Sequence, residues 1–329
     1  MIRISKPGLL TTVQDLGRPG FQQYGIVVGG ALDSFAARAV NLCVGNDDNA
    51  ALLEMAQTGP DVVFDRDTLI AWGGGDFDPR IGSQPVPRDR AVRVAAGETV
   101  SFGPAKSGLR AWMSVAGGID VPLVMGSRTT YRRAGIGGHQ GRPLIAGDAL
   151  KLFPPTAWAR DLLVGLQAGG RRSVTWTVRP ETMGQPAKPG VVRALRGPEC
   201  DWFTKAAQQT FFSASWKTTN EADRMGVRLN GPTLERRHEG DMISSSVNAG
   251  TVQVPPAGQP IVLLPSRQSI GGYPRIASVI SVDLGRLTQL RPGDTVKFEE
   301  TTLAVAHDLY LARERDLARV RLGLSRLTA

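Results

Sequence analysis

The chain has 329 residues, 41% hydrophobic and 21% charged, which fits a folded globular protein and is too long for one small core. No apolar run approaches the ~20 residues that span a bilayer, Met1–Pro7 shows no leader pattern, and two cysteines, Cys43 and Cys200, give no disulfide framework, so a reducing cytoplasmic setting is expected. The net charge is +9, yet the arginines are dispersed, aromatics are only 6%, and no nucleic-acid motif is present, so neither nucleic acid nor membrane is expected as a partner.

Most of the chain reads as short strands punctuated by glycine and proline. The clearest helix is Asp33–Val44: Asp33 is an N-cap, Ala36, Ala39, Val40 and Cys43 keep helical spacing, and Gly45 is a stop. The apolar run Leu69–Trp72 leads into Gly73-Gly74-Gly75. Without a following Lys-Ser/Thr or a helical pattern this is not a phosphate loop, and a wide turn after a strand is the simpler expectation. Three segments share a Gly-acid turn followed by an alternating strand: Ala96–Phe102, Ala146–Leu152 and Pro292–Phe298. Their recurrence fits duplicated β architecture and convergent turn chemistry equally.

Proline and glycine crowd the stretch from Pro154 to Gly190, although Ser173–Val178 alternates like a strand. A second helix is expected over Asp201–Gln209. Two strand-like runs, Ile261–Leu264 and Ile276–Val282, flank Ser266–Pro274. The tail from Ala304 to about Leu322 is a third helix with an apolar stripe of Leu309, Ala312, Val320 and Leu324; its Arg313, Arg315, Arg319, Arg321 and Arg326 read as a solvated face. The expected organisation is an N-terminal β-rich domain (1–165), a connecting segment (166–190), a C-terminal β domain (191–300) and a helical tail (301–329). The fold class is mainly β, barrels or sandwiches with a few packed helices; the strand–helix alternation of a doubly wound sheet is absent.

Standard catalytic motifs are missing. His139, His238 and His307 are scattered, so no metal site is expected, and there is no G-x-S-x-G elbow. Four polar clusters remain: Thr12–Gly20; Gly29–Asp33 with Asn41, Asn46 and Glu54; Asp223–Pro232; and Val252–Pro256 running into Ser266–Pro274. The last carries an amide, hydroxyls, a guanidinium, a phenol and adjacent glycines, more polar chemistry than chain reversal requires, and glycines let a backbone approach a ligand closely. Each cluster also has a structural reading: Asp15 and Arg18 pair locally, Asp33 caps, Asn41 is a satisfied helix residue, and Arg224 bonds turn carbonyls.

In order along the chain, Pro7–Arg18, Gly30-Ala31-Leu32-Asp33, Asn41, Val44-Gly45-Asn46, Leu53-Glu54, Gly59-Pro60, Arg133–Gly138, Gly141-Arg142, Asp223–Gly226, Val252–Pro260 and Gln268–Pro274 resemble the allophanate hydrolase subunit 2 family, also described as KipA-like or biotin-dependent carboxyltransferase proteins. The resemblance implies β-barrel domains, at least one cyclophilin-like, and a heteromeric complex with a KipI-like B subunit and a LamB/YcsF-like A subunit. The activity it implies first is ATP-dependent opening of 5-oxoproline to glutamate, ATP entering at the level of the complex. Two alternatives are carboxyl transfer from carboxybiotin to urea or another small amide, and a regulatory KipA-like binding module. On this reading Arg224, Gln268 and Tyr273 are catalytic; Gln253, Gly271, Gly272, Arg18, Asp33 and Asn46 bind substrate. Two departures stand out: Ser266 and Ser245 occupy positions where the family pattern leads one to expect acids. A serine hydroxyl cannot replace a carboxylate as general base at ordinary pH.

Overall fold

The computed structural model describes residues 1–179, 188, 190–238, 240 and 242–326. The chain forms two compact units, one of Met1–Arg18, Gly29–Glu181 and Asp316–Ala329, the other of Pro19–Val28 and Thr182–Arg315. Five helices are described: α1 (Ser34–Cys43), α2 (Ala157–Ala168), α3 (Lys205–Ser213), α4 (Leu284–Leu287) and α5 (Leu303–Arg326). The first unit extends past residue 165. It includes α2, an isolated bridge from Ser173 to Val92, and a bond from the Val178 amide to the Asp89 carbonyl. Of the proline-rich stretch expected from Pro180 to Pro189, all but Lys188 lies outside the described residues.

The first unit is built on two sheets. One has seven strands in the order Ile119–Asp120, Ala149–Leu152, Ile2–Lys6, Asp61–Phe64, Thr99–Ser101, Arg80–Ile81, Gln84–Pro85; the other has five, Leu10–Gln14, Leu52–Ala56, Ser107–Val115, Thr68–Asp76, Val92–Val94. Ile2, Ile4, Phe64 and Val100 from the first meet Leu53, Met55, Trp72 and Met113 from the second in one buried core. α1 packs on the five-stranded sheet; its Asp33 cap accepts the Phe35 and Ala36 amides, as the sequence predicts.

In the second unit seven strands close a barrel: Val191–Arg196, Arg275–Val279, Thr251–Gln253, Ile261–Leu263, Gly226–Asn230, Ser215–Thr218 and Thr295–Glu300. Its closure is a parallel pairing, Val192 opposite Phe298. Phe211 of α3 stacks on Phe298 with ring centroids 4.6 Å apart. α3 starts later than the expected residue 201 because Cys200–Trp202 forms a single tight turn and Thr204 caps Ala207. The mainly β reading holds, with one closed barrel and further sheets.

The three Gly-acid segments make one turn three times. Gly97, Gly147 and Gly293 have φ of +82°, +92° and +93°. In each, the carboxylate reaches back three residues to an amide: Glu98 to Ala95 (2.7 Å), Asp148 to Ile145 (2.8 Å), Asp294 to Arg291 (2.8 Å). Positive φ suits glycine, and the acid satisfies a turn amide.

Two expectations are corrected. Gly73-Gly74-Gly75 is not a turn but lies inside the strand Thr68–Asp76. A Cβ on Gly74, at φ +102°, would stand 2.7 Å from the Arg110 carbonyl oxygen, and one on Gly73 2.7 Å from Asp89 Oδ1. The glycines admit a close neighbour rather than reverse the chain. The arginines of α5 are not all solvated either: Arg313 is buried and its Nη1 donates to the Val282 carbonyl at 2.7 Å.

Gly74→Ala is expected to cost about 2 to 5 kcal/mol of unfolding free energy, from positive φ plus overlap. Gly82→Ala, at φ +59° with no atom within 4 Å of its Cβ position, should cost only about 1 to 2. Equal losses in denaturant titrations would refute the packing account.

The Arg142 guanidinium grips Asp148 through two 2.8 Å bonds, His139 Nε2 stands 3.3 Å away, and the carboxyl is held down at about 2, below its usual 3.8. A folded value below the unfolded one stabilises above the unfolded pKa and fades as pH falls through the folded one. The stability gap between wild type and Asp148→Asn should therefore shrink from about pH 4 toward about pH 2. A gap that grows on acidification would contradict it.

Candidate functional site

The barrel strand Thr251–Gln253 ends on a buried glutamine. The Gln253 Nε2 donates to the Tyr273 carbonyl at 3.2 Å, and its Oε1 accepts from Gln268 Nε2 at 3.5 Å. Beside it lies a small antiparallel ribbon, Ser245–Ser246 paired with Ile270–Gly271, with Ser245 opposite Gly271. A Cβ on Gly271 would stand 2.5 Å from Gln253 Nε2, so any larger residue there must displace the buried amide. A Cβ on Gly272 would meet Ser244 Oγ at 3.2 Å.

The Asp223–Gly226 motif joins the same neighbourhood. Asp223 Oδ1 accepts the Met225 amide (2.7 Å) and the Gly226 amide (3.2 Å), fixing the turn. The Arg224 carbonyl then accepts the Ser266 amide at 3.1 Å, and the Met225 carbonyl the Leu264 amide at 2.8 Å. Thus Arg224, Gln253, Gln268, Gly271, Gly272 and Tyr273, separated in sequence, sit on one connected stretch of the second unit. The Tyr273 side chain is exposed.

Two further features escaped sequence reasoning. Arg267 is buried, its Nε donating to the Val247 carbonyl (3.2 Å) and Nη1 to the Pro265 carbonyl (3.4 Å). Burial lowers its pKa from the ordinary arginine value. Arg275 and Glu199 form a two-pronged pair, 2.5 and 2.6 Å, that ties the strand after the loop to the turn before α3. The density of arginines hid both, since nothing in the sequence separates a buried guanidinium from a solvated one.

Chemically this stretch is polar but poor in free acid. Its paired groups are carboxamides, main-chain carbonyls and guanidinium donors. The nearby carboxylates of Asp223 and Glu199 are engaged by backbone amides and Arg275, and Ser245 and Ser266 carry no acid. Among the described residues no three or more His, Cys, Asp or Glu side chains gather to hold a metal ion.

The first-unit residues do different work. Asp33 Oδ1 caps α1. Asn46 is buried and satisfied: Nδ2 donates to Ser114 Oγ and the Val115 carbonyl, and Oδ1 accepts the Gly117 amide. The Asp33 carboxylate thus satisfies two of the free amides at the start of α1. Arg18 is fully buried; Nη2 donates to the Thr129 carbonyl at 2.6 Å, and Nη1 has no partner among the described residues. Desolvation lowers its pKa, opposed by Asp15. Asp15 itself accepts from Gly17, Ser127 and the Arg128 amide. The glycine-rich Arg133–Gly138 motif closes on this arginine: a Cβ on Gly137 would stand 2.7 Å from Arg18 Nη2.

Residues 24–300 match the family model described as carboxyltransferase domain, subdomain A and B. The chain belongs to this carboxyltransferase-domain family. It is 39% identical over 306 residues to the C subunit of the Escherichia coli 5-oxoprolinase, covering 93% of each chain. It is 36% identical to the Haemophilus influenzae protein of the same name, covering 94% of each. Among solved structures, the Kluyveromyces lactis urea carboxylase superposes with a TM-score of 0.86 at 26% identity, over 97% of this chain. The present chain spans only 29% of that larger enzyme. No helix among the described residues is long and apolar enough to cross a membrane.

The contact between Gln253 and Gly271 can be tested by a double-mutant cycle. Gly271→Ala alone should cost about 1 to 3 kcal/mol through overlap with the Gln253 amide, and clearly less in a Gln253→Ala background. Strict additivity in denaturant titrations would refute the contact.

Proposed function

We propose that this chain is the C-type component of a 5-oxoprolinase-like complex, in which ATP hydrolysis drives ring opening of the small cyclic amide 5-oxoproline to glutamate. The observation that carries the reading is the match to the C subunit of 5-oxoprolinase along 93% of both chains, so the relationship extends well beyond a shared module. The geometry supports a role in substrate recognition. Gln268 and Tyr273, with Arg224 beside them, line the substrate-facing wall, Gln253 fixes the loop from the barrel side, and Gly271 and Gly272 bring the main chain close. Preorganised donors of this kind stabilise charge developing on a carbonyl oxygen as the lactam C–N bond breaks. In this reading ATP is bound by the partner proteins, one KipI-like and one LamB/YcsF-like, which supply the acid–base groups as well. In the first unit, Arg18 is the residue whose free Nη1 still suits a ligand or partner contact, whereas Asp33 and Asn46 act through the scaffold.

The likeness to urea carboxylase, TM-score 0.86, favours a second reading: transfer of a carboxyl group from carboxybiotin to a small amide on the same wall. Biotin would then be carried by a separate chain. Pull-down from the native host distinguishes them. A biotinylated partner supports transfer, and 5-oxoproline-dependent ATP hydrolysis by the reconstituted three-protein assembly supports ring opening.

In that reconstituted assembly, Gln268→Ala combined with Tyr273→Ala is expected to lower turnover at least about a hundredfold, the scale of losing positioned donors. The thermal unfolding midpoint should stay close to wild type, because the Tyr273 side chain is exposed and the Gln268–Gln253 bond is long, at 3.5 Å. Collapse of folding would assign the loop a structural role instead.

A further inference from the structure

The ribbon beside Gln253 carries two buried hydroxyls. Ser245 Oγ and Ser269 Oγ are shielded from solvent and have no hydrogen-bond partner among the described residues. Both belong to one face. Ser245 lies opposite Gly271, and directly opposed residues of an antiparallel pair project to the same side. The direction of the missing Gly271 Cβ points at Gln253 Nε2, 2.5 Å away. The ladder continues through the bond from the Val247 amide to the Ser269 carbonyl, 3.1 Å, placing Ser269 two residues from Gly271 and on that same face. The face shared by the two hydroxyls is therefore the one that meets the Gln253 carboxamide, which Gln268 also bonds.

An unpaired hydroxyl shielded from water is costly, and two on one small ribbon beside a polar pair call for an explanation. A hydroxyl both donates and accepts, unlike a carboxylate, which only accepts when ionised. The edge of a cyclic amide presents one acceptor, its carbonyl oxygen, and one donor, its N–H. We propose that Ser245 and Ser269 are substrate-binding residues that take the amide edge of a small lactam, with Gln253 and Gln268 completing the polar wall. This rests on the ring-opening reading above and assigns the groups that read the substrate's amide. Both Oγ atoms are closed off from solvent, so on this proposal ligand entry requires a local shift of the ribbon.

The test uses the full chain reconstituted with its partner proteins. Ser245→Ala and Ser269→Ala should each raise KM for 5-oxoproline about tenfold, the scale of one lost hydrogen bond, with a much smaller change in kcat. The lactam 2-pyrrolidinone should inhibit wild type competitively and the double alanine variant far more weakly. Thermal midpoints of both variants should equal or exceed wild type, because each removes a hydroxyl that bonds none of the described residues. Wild-type turnover with unchanged KM in both variants overturns the assignment and leaves the ring-opening reading standing, and a lowered thermal midpoint overturns it in favour of a structural role. A well-folded wild-type assembly with no 5-oxoproline turnover overturns the ring-opening reading and this assignment together.

Discussion

The second-unit site depends on one close approach: the Gln253 carboxamide lies where a side chain on residue 271 would otherwise be. Gln253 is the last residue of a barrel strand, so its position is fixed by the closed ladder on both sides. Its amide then binds the Tyr273 carbonyl and the Gln268 side chain, anchoring the polar, glycine-bearing loop Ser266–Pro274 to a rigid wall. Such anchoring is what a binding loop needs, because loosely held donors lose most of their advantage to reorganisation. Glycine at 271 thus serves packing against Gln253.

The same wall contrasts with how the chain uses its charges. Asp15, Asp33, Asp148 and Glu199 all accept backbone amides, and Asp148 and Glu199 each add an arginine. A carboxylate held by amides and a guanidinium is stabilised as the anion and resists protonation. Asp148, depressed to about 2, and Glu199, shifted below its usual value, show that bias. A general base needs a pKa closer to working pH. Asp148 and Glu199 are thereby held as anions within the scaffold.

How much of this was legible in the sequence depends on whether a residue's role is local. The Gly-acid turns at 97–98, 147–148 and 293–294 were legible because the bond runs from the acid to an amide three residues back. The Asp33 cap was legible for the same reason. Gly73-Gly74-Gly75 misled because its cause is distant: the Arg110 carbonyl and the Asp89 carboxylate crowd the strand from other segments. Arg313 misled likewise, since only the fold supplies the Val282 carbonyl that lets a guanidinium sit at a core position of α5. α2 was hidden by flanking prolines and glycines, yet Thr156 caps it by accepting the Ala159 amide. The grouping of Arg224 with Gln253 and Gln268 came from the resemblance; Gly271 was visible in the sequence, but that its missing Cβ faces Gln253, and that the Arg224 carbonyl joins the loop, was not.

Serines at 245 and 266 looked like losses when judged against an expected acid. Judged by what surrounds them, the balance changes. The second-unit wall already holds the buried guanidinium of Arg267, whose charge is satisfied only by the Val247 and Pro265 carbonyls among its described hydrogen bonds. A substrate that is neutral at its amide edge gains nothing from a buried carboxylate there, which would have to be desolvated at a large cost. Two hydroxyls and two carboxamides can instead match a donor and an acceptor on the ligand while transferring no net charge into the site. The discrimination such a wall provides comes from leaving polar groups unpaired when the ligand lacks the amide. On the ring-opening reading proposed above, the exchange of acid for hydroxyl suits recognition of a neutral amide better than proton transfer.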